Sequence, residues 1–174
     1  MEKGEFEKLK NNLAYNLFFA EIGRYVAFFS ALEFDVIFLI QSLVPGIKKD
    51  YLLRLVAGDN FQSLLDKLYN LYQFSILDEN LINQFSELYK RLDEVRVQRN
   101  RIIHSIWFYD EDSSFYMKIK KRTKNPLVLF EKSSKITAND LITYTKTLMK
   151  LIEDVRQLRE KTIDYLNEKD KIRP

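Results

Sequence analysis

RNRIIHSIW, residues 99–107, contains the only histidine of a 174-residue chain. Apolar residues recur at helical spacing over 81–107, which predicts one long helix there. On a helical wheel they form one stripe: Leu88, Leu92, Val95, Ile102, Ile103 and Ile106. Arg99 falls near its centre, whereas Asn100 and His104 share a neighbouring face. Because an unpaired buried arginine costs on the order of several kcal/mol, Arg99 requires a partner or a ligand.

A carboxylate partner for Arg99 is available in the first apolar segment. Helical spacing predicts a long helix over 6–43, which the Pro45-Gly46 pair ends. Glu33 lies inside its apolar stripe, which consists of Val26, Phe29, Leu32, Val36, Ile37 and Ile40. Two opposite charges on core faces are best explained by each other, so we predict a Glu33–Arg99 ion pair.

The rest of the chain predicts further helices and one hairpin. Short helices are expected over 50–57 and 61–74. Residues 115–119 alternate between apolar and polar, and an apolar run follows at 127–130, which together predict a β-hairpin inserted at about 108–132. Thr137, with Asp140 three residues later, is predicted to cap a final helix. The predicted fold is all-α: an up-and-down helical bundle in a single domain, 1–174.

Composition excludes several function classes. The 174 residues, 46% hydrophobic with a net charge of +3, suffice for one globular domain. With no cysteine and one histidine, thiolate chemistry is excluded, a His-based metal site is disfavoured, and no cofactor is expected. Four scattered glycines supply no phosphate-binding loop. Charges interrupt the apolar region 15–44, so we expect a core helix rather than a membrane span, and a cytoplasmic protein.

The residues Arg99 to His104, RNRIIH, resemble the R-x4-6-H motif of the HEPN superfamily, including the polar Asn100 after the arginine. The setting is also similar, with a long first helix carrying F-S-A-L-E at 29–33 and a closing helix after the motif. The resemblance covers about residues 14–165. It implies an all-α bundle of HEPN type that dimerises, with two motifs facing one cleft. It also implies a metal-independent endoribonuclease, often a toxin or antiphage-defence effector, for which a cognate antitoxin or inhibitor protein is an expected partner.

The chemistry of the motif suits RNA cleavage. A neutral imidazole is well suited to take the proton of a ribose 2'-OH, so His104 is the candidate base. Arg99 can stabilise the charge on phosphorus, and Asn100 can orient the phosphate or the imidazole. Dependence on the 2'-OH predicts RNA as the substrate. A basic run provides candidate RNA-binding residues, although a solvated strand face explains it too: Lys118, Lys120, Lys121, Arg122 and Lys124.

Two other functions remain compatible with the sequence, and the motif differs from that of some family members at one position. A HEPN-like domain could keep the motif as a non-catalytic nucleotide-binding or protein-interaction module. A purely structural helical dimer would need neither Arg99 nor His104 beyond stability. Some family members carry R-x4-H-x-Y with a modified tyrosine, whereas Ile106 occupies that position here. The sequence therefore gives no support for control through that tyrosine.

Overall fold

The structure is a computed structural model that describes residues 13–44, 46–109, 115–120 and 130–172. The described chain is mostly helical, which confirms the predicted helical class. Its helices, in chain order, are α1 (Leu13–Ser42), α2 (Lys49–Val56), α3 (Phe61–Ser75), α4 (Glu79–His104) and α5 (Ala138–Ile172). The predicted helices over 50–57 and 61–74 match α2 and α3 within one residue at each end.

Three strands form a small antiparallel sheet in the order β1-β2-β3: β1 (Ile106–Tyr109), β2 (Phe115–Lys120) and β3 (Phe130–Ile136). β2 covers the alternating segment expected to form a strand. Of the second predicted hairpin strand, 127–130, only Phe130 lies within the described residues, and there β3 begins. The hairpin insertion as a whole stays a prediction.

The motif helix is shorter than predicted. α4 ends at His104 and Trp107 belongs to β1, so the prediction of a helix as far as Trp107 was wrong. The reason is the run of β-branched and aromatic residues that starts at Ile106, which favours a strand and pairs with β2. At the junction, the Ser105 hydroxyl donates a hydrogen bond to the Arg101 carbonyl oxygen.

Because α4 ends at His104, its apolar stripe also differs from the predicted one. Four predicted members are buried: Leu88, Leu92, Val95 and Ile102. Ile103 is instead 37% exposed, and Ile106 is a strand residue. The prediction that both belong to the buried stripe was therefore wrong for Ile103 and does not apply to Ile106. A helical wheel extended past the true end of a helix assigns faces that the chain does not have.

α1 is one uninterrupted helix within 13–42. After it, Gly46 adopts a φ of 82°, a conformation that glycine reaches at little cost. The predicted residues 6–12 lie outside the described part. An 18-residue window of α1 has a mean hydropathy of 1.5, so by length and composition alone this helix could cross a membrane. Core helices of soluble proteins meet the same criterion, and 39% of the window is buried within the protein.

The start of α5 confirms the predicted cap. The Thr137 backbone N–H donates to Asp140 Oδ2 at 2.8 Å, and the Asp140 N–H donates to Thr137 Oγ1 at 3.2 Å. This reciprocal pair is a capping box, which satisfies backbone donors that the first helical turn leaves unpaired. Ile136 and Leu141, on either side of the cap, are both buried, as expected for a hydrophobic staple.

The chain forms two compact units by its internal contacts. Unit 1 comprises Met1–Phe28 with Val97–Thr147, and unit 2 comprises Phe29–Arg96 with Leu148–Pro174. The single-domain organisation stays a prediction. The candidate motif belongs to unit 1.

Unit 2 has an aromatic core. The Phe29 and Phe61 rings meet edge to face at 4.9 Å, and Tyr72 stacks on Phe85 at 4.1 Å. The buried Tyr72 hydroxyl shares a hydrogen bond of 3.2 Å with the Thr162 hydroxyl, so the polar end of this ring is satisfied inside the core.

A bidentate ion pair joins α1 to α5 within unit 2. Arg156 Nε and Nη2 donate to the two carboxylate oxygens of Asp35, each at 3.0 Å. The Asp35 side chain is only 8% exposed, whereas that of Arg156 is 50% exposed. The hydrogen bond to Asp35 and the charge of its carboxylate raise the pKa of Arg156. The carboxylate depends on this partner, because a buried charge without one is strongly destabilising.

We predict that Arg156→Leu lowers the free energy of unfolding by about 2 kcal/mol. This value lies between those of exposed and buried pairs, because the Arg156 side chain is 50% exposed whereas that of Asp35 is 8% exposed. In the Asp35→Asn background the same substitution should cost clearly less. Urea unfolding of the two single variants and the double variant measures this coupling. Arg54→Leu, at an exposed position of α2, is the matched control. Equal costs in both backgrounds would contradict the pairing.

Candidate functional site

The motif lies beside the first half of α1 in unit 1. Phe18 contacts Trp107 edge to face at 5.2 Å, and the Tyr25 hydroxyl donates to Gln98 Oε1 at 3.5 Å. As α1 advances from Phe18 to Tyr25, its contacts therefore move back along the chain from Trp107 to Gln98. The order of these two contacts indicates that the two segments run antiparallel.

Arg99 is half-buried and held by its neighbour. Its Nη1 donates to Asn100 Oδ1 at 3.3 Å. Burial raises the pKa of the Tyr25 phenol, the positive charge of Arg99 lowers it, and Tyr144 raises it again. Burial is the largest effect, so Tyr25 remains a neutral phenol at physiological pH.

His104 is exposed, at the last residue of α4. It follows Arg99 by five residues, about 7.5 Å along a helix axis. It has no hydrogen-bond partner within the part of the chain that the structure describes. The imidazole is accessible to a ligand, and no described protein group determines which of its nitrogens carries the proton.

The remaining predicted site residues are placed only in part. Lys118 pairs with Ile106 and Lys120 with Phe130 in the strand register. Lys121, Arg122 and Lys124 lie outside the described residues. Their predicted role in RNA binding stays a prediction.

The predicted partnership of Glu33 and Arg99 also stays a prediction. Glu33 belongs to unit 2 and Arg99 to unit 1, and both are half-buried rather than enclosed. Neither side chain is therefore completely removed from solvent. The carboxylates that α1 does bury are Glu21, 3% exposed, and Asp35, 6% exposed.

Glu21 is a buried carboxylate that was not predicted from the sequence. Its Oε1 lies 3.0 Å from Arg24 Nη1 in an ion pair, and its buried Oε2 has no hydrogen-bond partner among the described residues. The available signal was spacing: Phe18, Glu21 and Tyr25 stand at i, i+3 and i+7, which places them on one face of α1. The aromatic residues before and after Glu21 mark that face as the buried one.

A separate cavity of about 290 Å³ lies between α4 and α5 in unit 2. Its lining is mostly polar: Gln84, Glu87, Leu88, Arg91, Lys150, Asp154, Gln157, Leu158 and Lys161. Much of this lining is already paired. Lys161 Nζ donates to Gln84 Oε1 at 2.7 Å, and Arg91 Nη1 lies 2.7 Å from Asp154 Oδ2, an ion pair without the alignment of a hydrogen bond.

Metal ligands do not cluster in the described parts of the chain: no three His, Asp or Glu side chains lie together as potential ligands there. No protein-family model and no curated protein matches the sequence, and no solved structure matches the fold. The residues of unit 1 and the resemblance of their motif are therefore the features that point to a function.

We predict that Glu33 and Arg99 are energetically coupled. Arg99→Leu and Glu33→Gln should each destabilise the protein by about 1–2 kcal/mol, less than for a fully enclosed pair because both side chains are half-buried. The double variant should recover part of the loss. A double-mutant cycle of unfolding free energies measures the coupling, and strictly additive effects would show that the pair does not exist.

Proposed function

We propose that this protein is a metal-independent endoribonuclease of HEPN type that cleaves RNA by attack of the 2'-OH. One observation carries the proposal: the half-buried Arg99, held by Asn100, precedes by five residues the only imidazole of the chain, which is exposed at the end of α4. A fixed cation, Arg99, and an accessible base, His104, therefore lie on the same helix.

The reaction follows from these two groups. His104 removes the proton of the ribose 2'-OH, and the oxygen attacks the adjacent phosphorus. The bond from phosphorus to the new 2'-oxygen forms while the bond to the 5'-oxygen breaks, which leaves a 2',3'-cyclic phosphate. The departing 5'-oxygen takes up one proton, which an imidazolium can supply. No external electron donor or water is consumed in this step.

Arg99 acts on the charge that builds on phosphorus. A guanidinium donates two parallel hydrogen bonds to phosphate oxygens, and its action is strongest where it is fixed and partly shielded from water. Asn100 supplies part of that fixation, because its side-chain oxygen accepts from Arg99. Its amide group remains free of this bond and can donate to a second phosphate oxygen.

A homodimer with a composite active site is part of the proposal. His104 is exposed, so in a single chain water has access to the reacting groups. A two-fold contact would bring the same patch of each chain together and enclose two motifs in one cleft. Ile103, 37% exposed, and the half-buried Trp107 are the apolar residues that we place at the margin of this contact.

The biological role that we propose is that of a toxin or antiphage-defence effector in the cytoplasm. It rests on the resemblance of RNRIIH to the HEPN motif. An active ribonuclease of this kind requires control inside its own cell, so a cognate antitoxin or inhibitor protein is the partner that we propose.

We predict that His104→Ala and Arg99→Ala each abolish RNA cleavage measured in EDTA, because one removes the base and the other the phosphate cation. The helical circular dichroism signal should persist. Wild-type products should end in a 2',3'-cyclic phosphate, and a DNA strand of the same sequence should remain intact. Arg54→Ala, at an exposed position outside unit 1, is the control and should keep full activity. Binding without cleavage would support the non-catalytic module instead.

We predict that the active species is a dimer. Sedimentation at micromolar concentration should give about twice the chain mass of 20.9 kDa. Mixing inactive His104→Ala and Arg99→Ala chains should restore part of the activity if each cleft uses groups from both chains. A monomer with full ribonuclease activity would contradict the composite site.

A further inference from the structure

A second arginine of the motif, Arg101, lies nearer to His104 on the helix surface than Arg99 does. Arg101 precedes His104 by three residues, so the two side chains leave α4 about 60° apart around the helix and about 4.5 Å apart along its axis. Arg99 precedes His104 by five residues, which places it about 140° away and about 7.5 Å along the axis. Residues three apart are neighbours on a helix surface. The cation that α4 presents beside its imidazole is therefore Arg101.

The Arg101 side chain is exposed and available to a ligand. Arg101 and His104 both lie in the last turn of α4, and both are exposed. Within the described residues the Arg101 side chain makes no hydrogen bond and no ion pair. Its carbonyl oxygen accepts a hydrogen bond from the Ser105 hydroxyl, which fixes the backbone where the helix ends. Arg99 differs, because it is half-buried and donates to Asn100.

The two arginines suit different tasks because their surroundings differ. A guanidinium that is fixed and partly shielded from water acts most strongly on charge that develops during a reaction. An exposed guanidinium is screened by water and salt, so it contributes more to attracting and holding a phosphate than to the chemical step. Arg99 and Arg101 also lie on opposite sides of His104 around the helix, about 140° one way and about 60° the other. A strand whose scissile phosphate lies between Arg99 and His104 therefore brings an adjacent phosphate toward Arg101.

We propose that Arg101 is a substrate-binding residue whose guanidinium binds the phosphate next to the scissile one in the RNA strand. No bond forms or breaks at this phosphate. The contact holds the strand so that the ribose 2'-OH stays beside His104. The identity of the bound phosphate rests on the proposed ribonuclease function, whereas an anion site formed by Arg101 beside His104 does not.

The lone histidine allows the anion site to be tested without cleavage. In protein labelled with ¹⁵N-histidine, all imidazole signals come from His104. Titration with a trinucleotide of 2'-O-methyl RNA, which has no free 2'-OH to attack, should shift these signals saturably in the wild type. Arg101→Gln should weaken the binding about 3- to 10-fold, as for an exposed charged contact, and should reduce the slope of log affinity against log salt by about 0.7.

Arg54→Gln is the matched control, because it makes the same chemical change at an exposed position of α2. It should leave both the affinity and the salt dependence of the His104 signals as in the wild type. The circular dichroism of Arg101→Gln should equal that of the wild type, since an exposed side chain contributes little to stability. No saturable shift in the wild type, or the same affinity and slope in Arg101→Gln, would overturn the proposal.

Substrate length tests which phosphate Arg101 binds. A dinucleotide contains only the scissile phosphate, and a trinucleotide extended at either end contains one adjacent phosphate as well. One of the two extensions should lower KM about 3- to 10-fold in the wild type and leave KM unchanged in Arg101→Gln, with kcat similar in both proteins. An equal gain from that extension in both proteins would overturn the proposed contact.

These measurements separate the role of Arg101 from the ribonuclease assignment. Binding of the 2'-O-methyl trinucleotide through Arg101 in a protein that never cleaves RNA would support the anion site and reject the enzyme. RNA cleavage with the same KM and salt dependence in Arg101→Gln as in the wild type would retain the enzyme and reject the role of Arg101.

Discussion

The burial of polar side chains on α1 is the constraint on which the rest of the structure depends. Along one helix, Glu21, Tyr25 and Asp35 are almost completely removed from water. Since each such group is costly without a partner, each dictates what must lie beside it. Asp35 requires the guanidinium of Arg156 within unit 2, and Tyr25 requires Gln98 within unit 1. Of these three side chains, only Glu21 has a buried oxygen without a hydrogen-bond partner among the described residues.

The end of α4 at His104 is the second determinant of the site. If the helix continued through Trp107, His104 would lie inside a regular helix, with its neighbours spaced at 3.6 residues per turn. Instead the chain enters β1 two residues later, and Trp107 meets Phe18 from a strand. His104 therefore lies between the end of α4 and the start of β1. No further helical turn follows to cover its side chain, which remains accessible.

The burial of one face also explains why α1 is so apolar. A helix that buries aromatic and aliphatic residues on one face over thirty residues is apolar enough to pass a membrane-span criterion. Two of its buried polar groups contact other helices: Tyr25 contacts Gln98 of α4, and Asp35 contacts Arg156 of α5. Phe34, on the side of α1 opposite the buried stripe, remains 55% exposed, so burial at this level of α1 is confined to one face.

Periodicity and cap residues alone determined the helical class, the positions of α2 and α3, and the capping box of α5, because these depend on neighbours within four residues. They also placed Arg99, Asn100 and His104 on one helix. Only tertiary structure decided that α4 stops at His104, since strand pairing from Ile106 onward competes with the helix. It likewise decided that Glu21 and Asp35 are buried while Glu33 is half-buried, because a helical wheel gives relative directions and only packing selects the face that is covered.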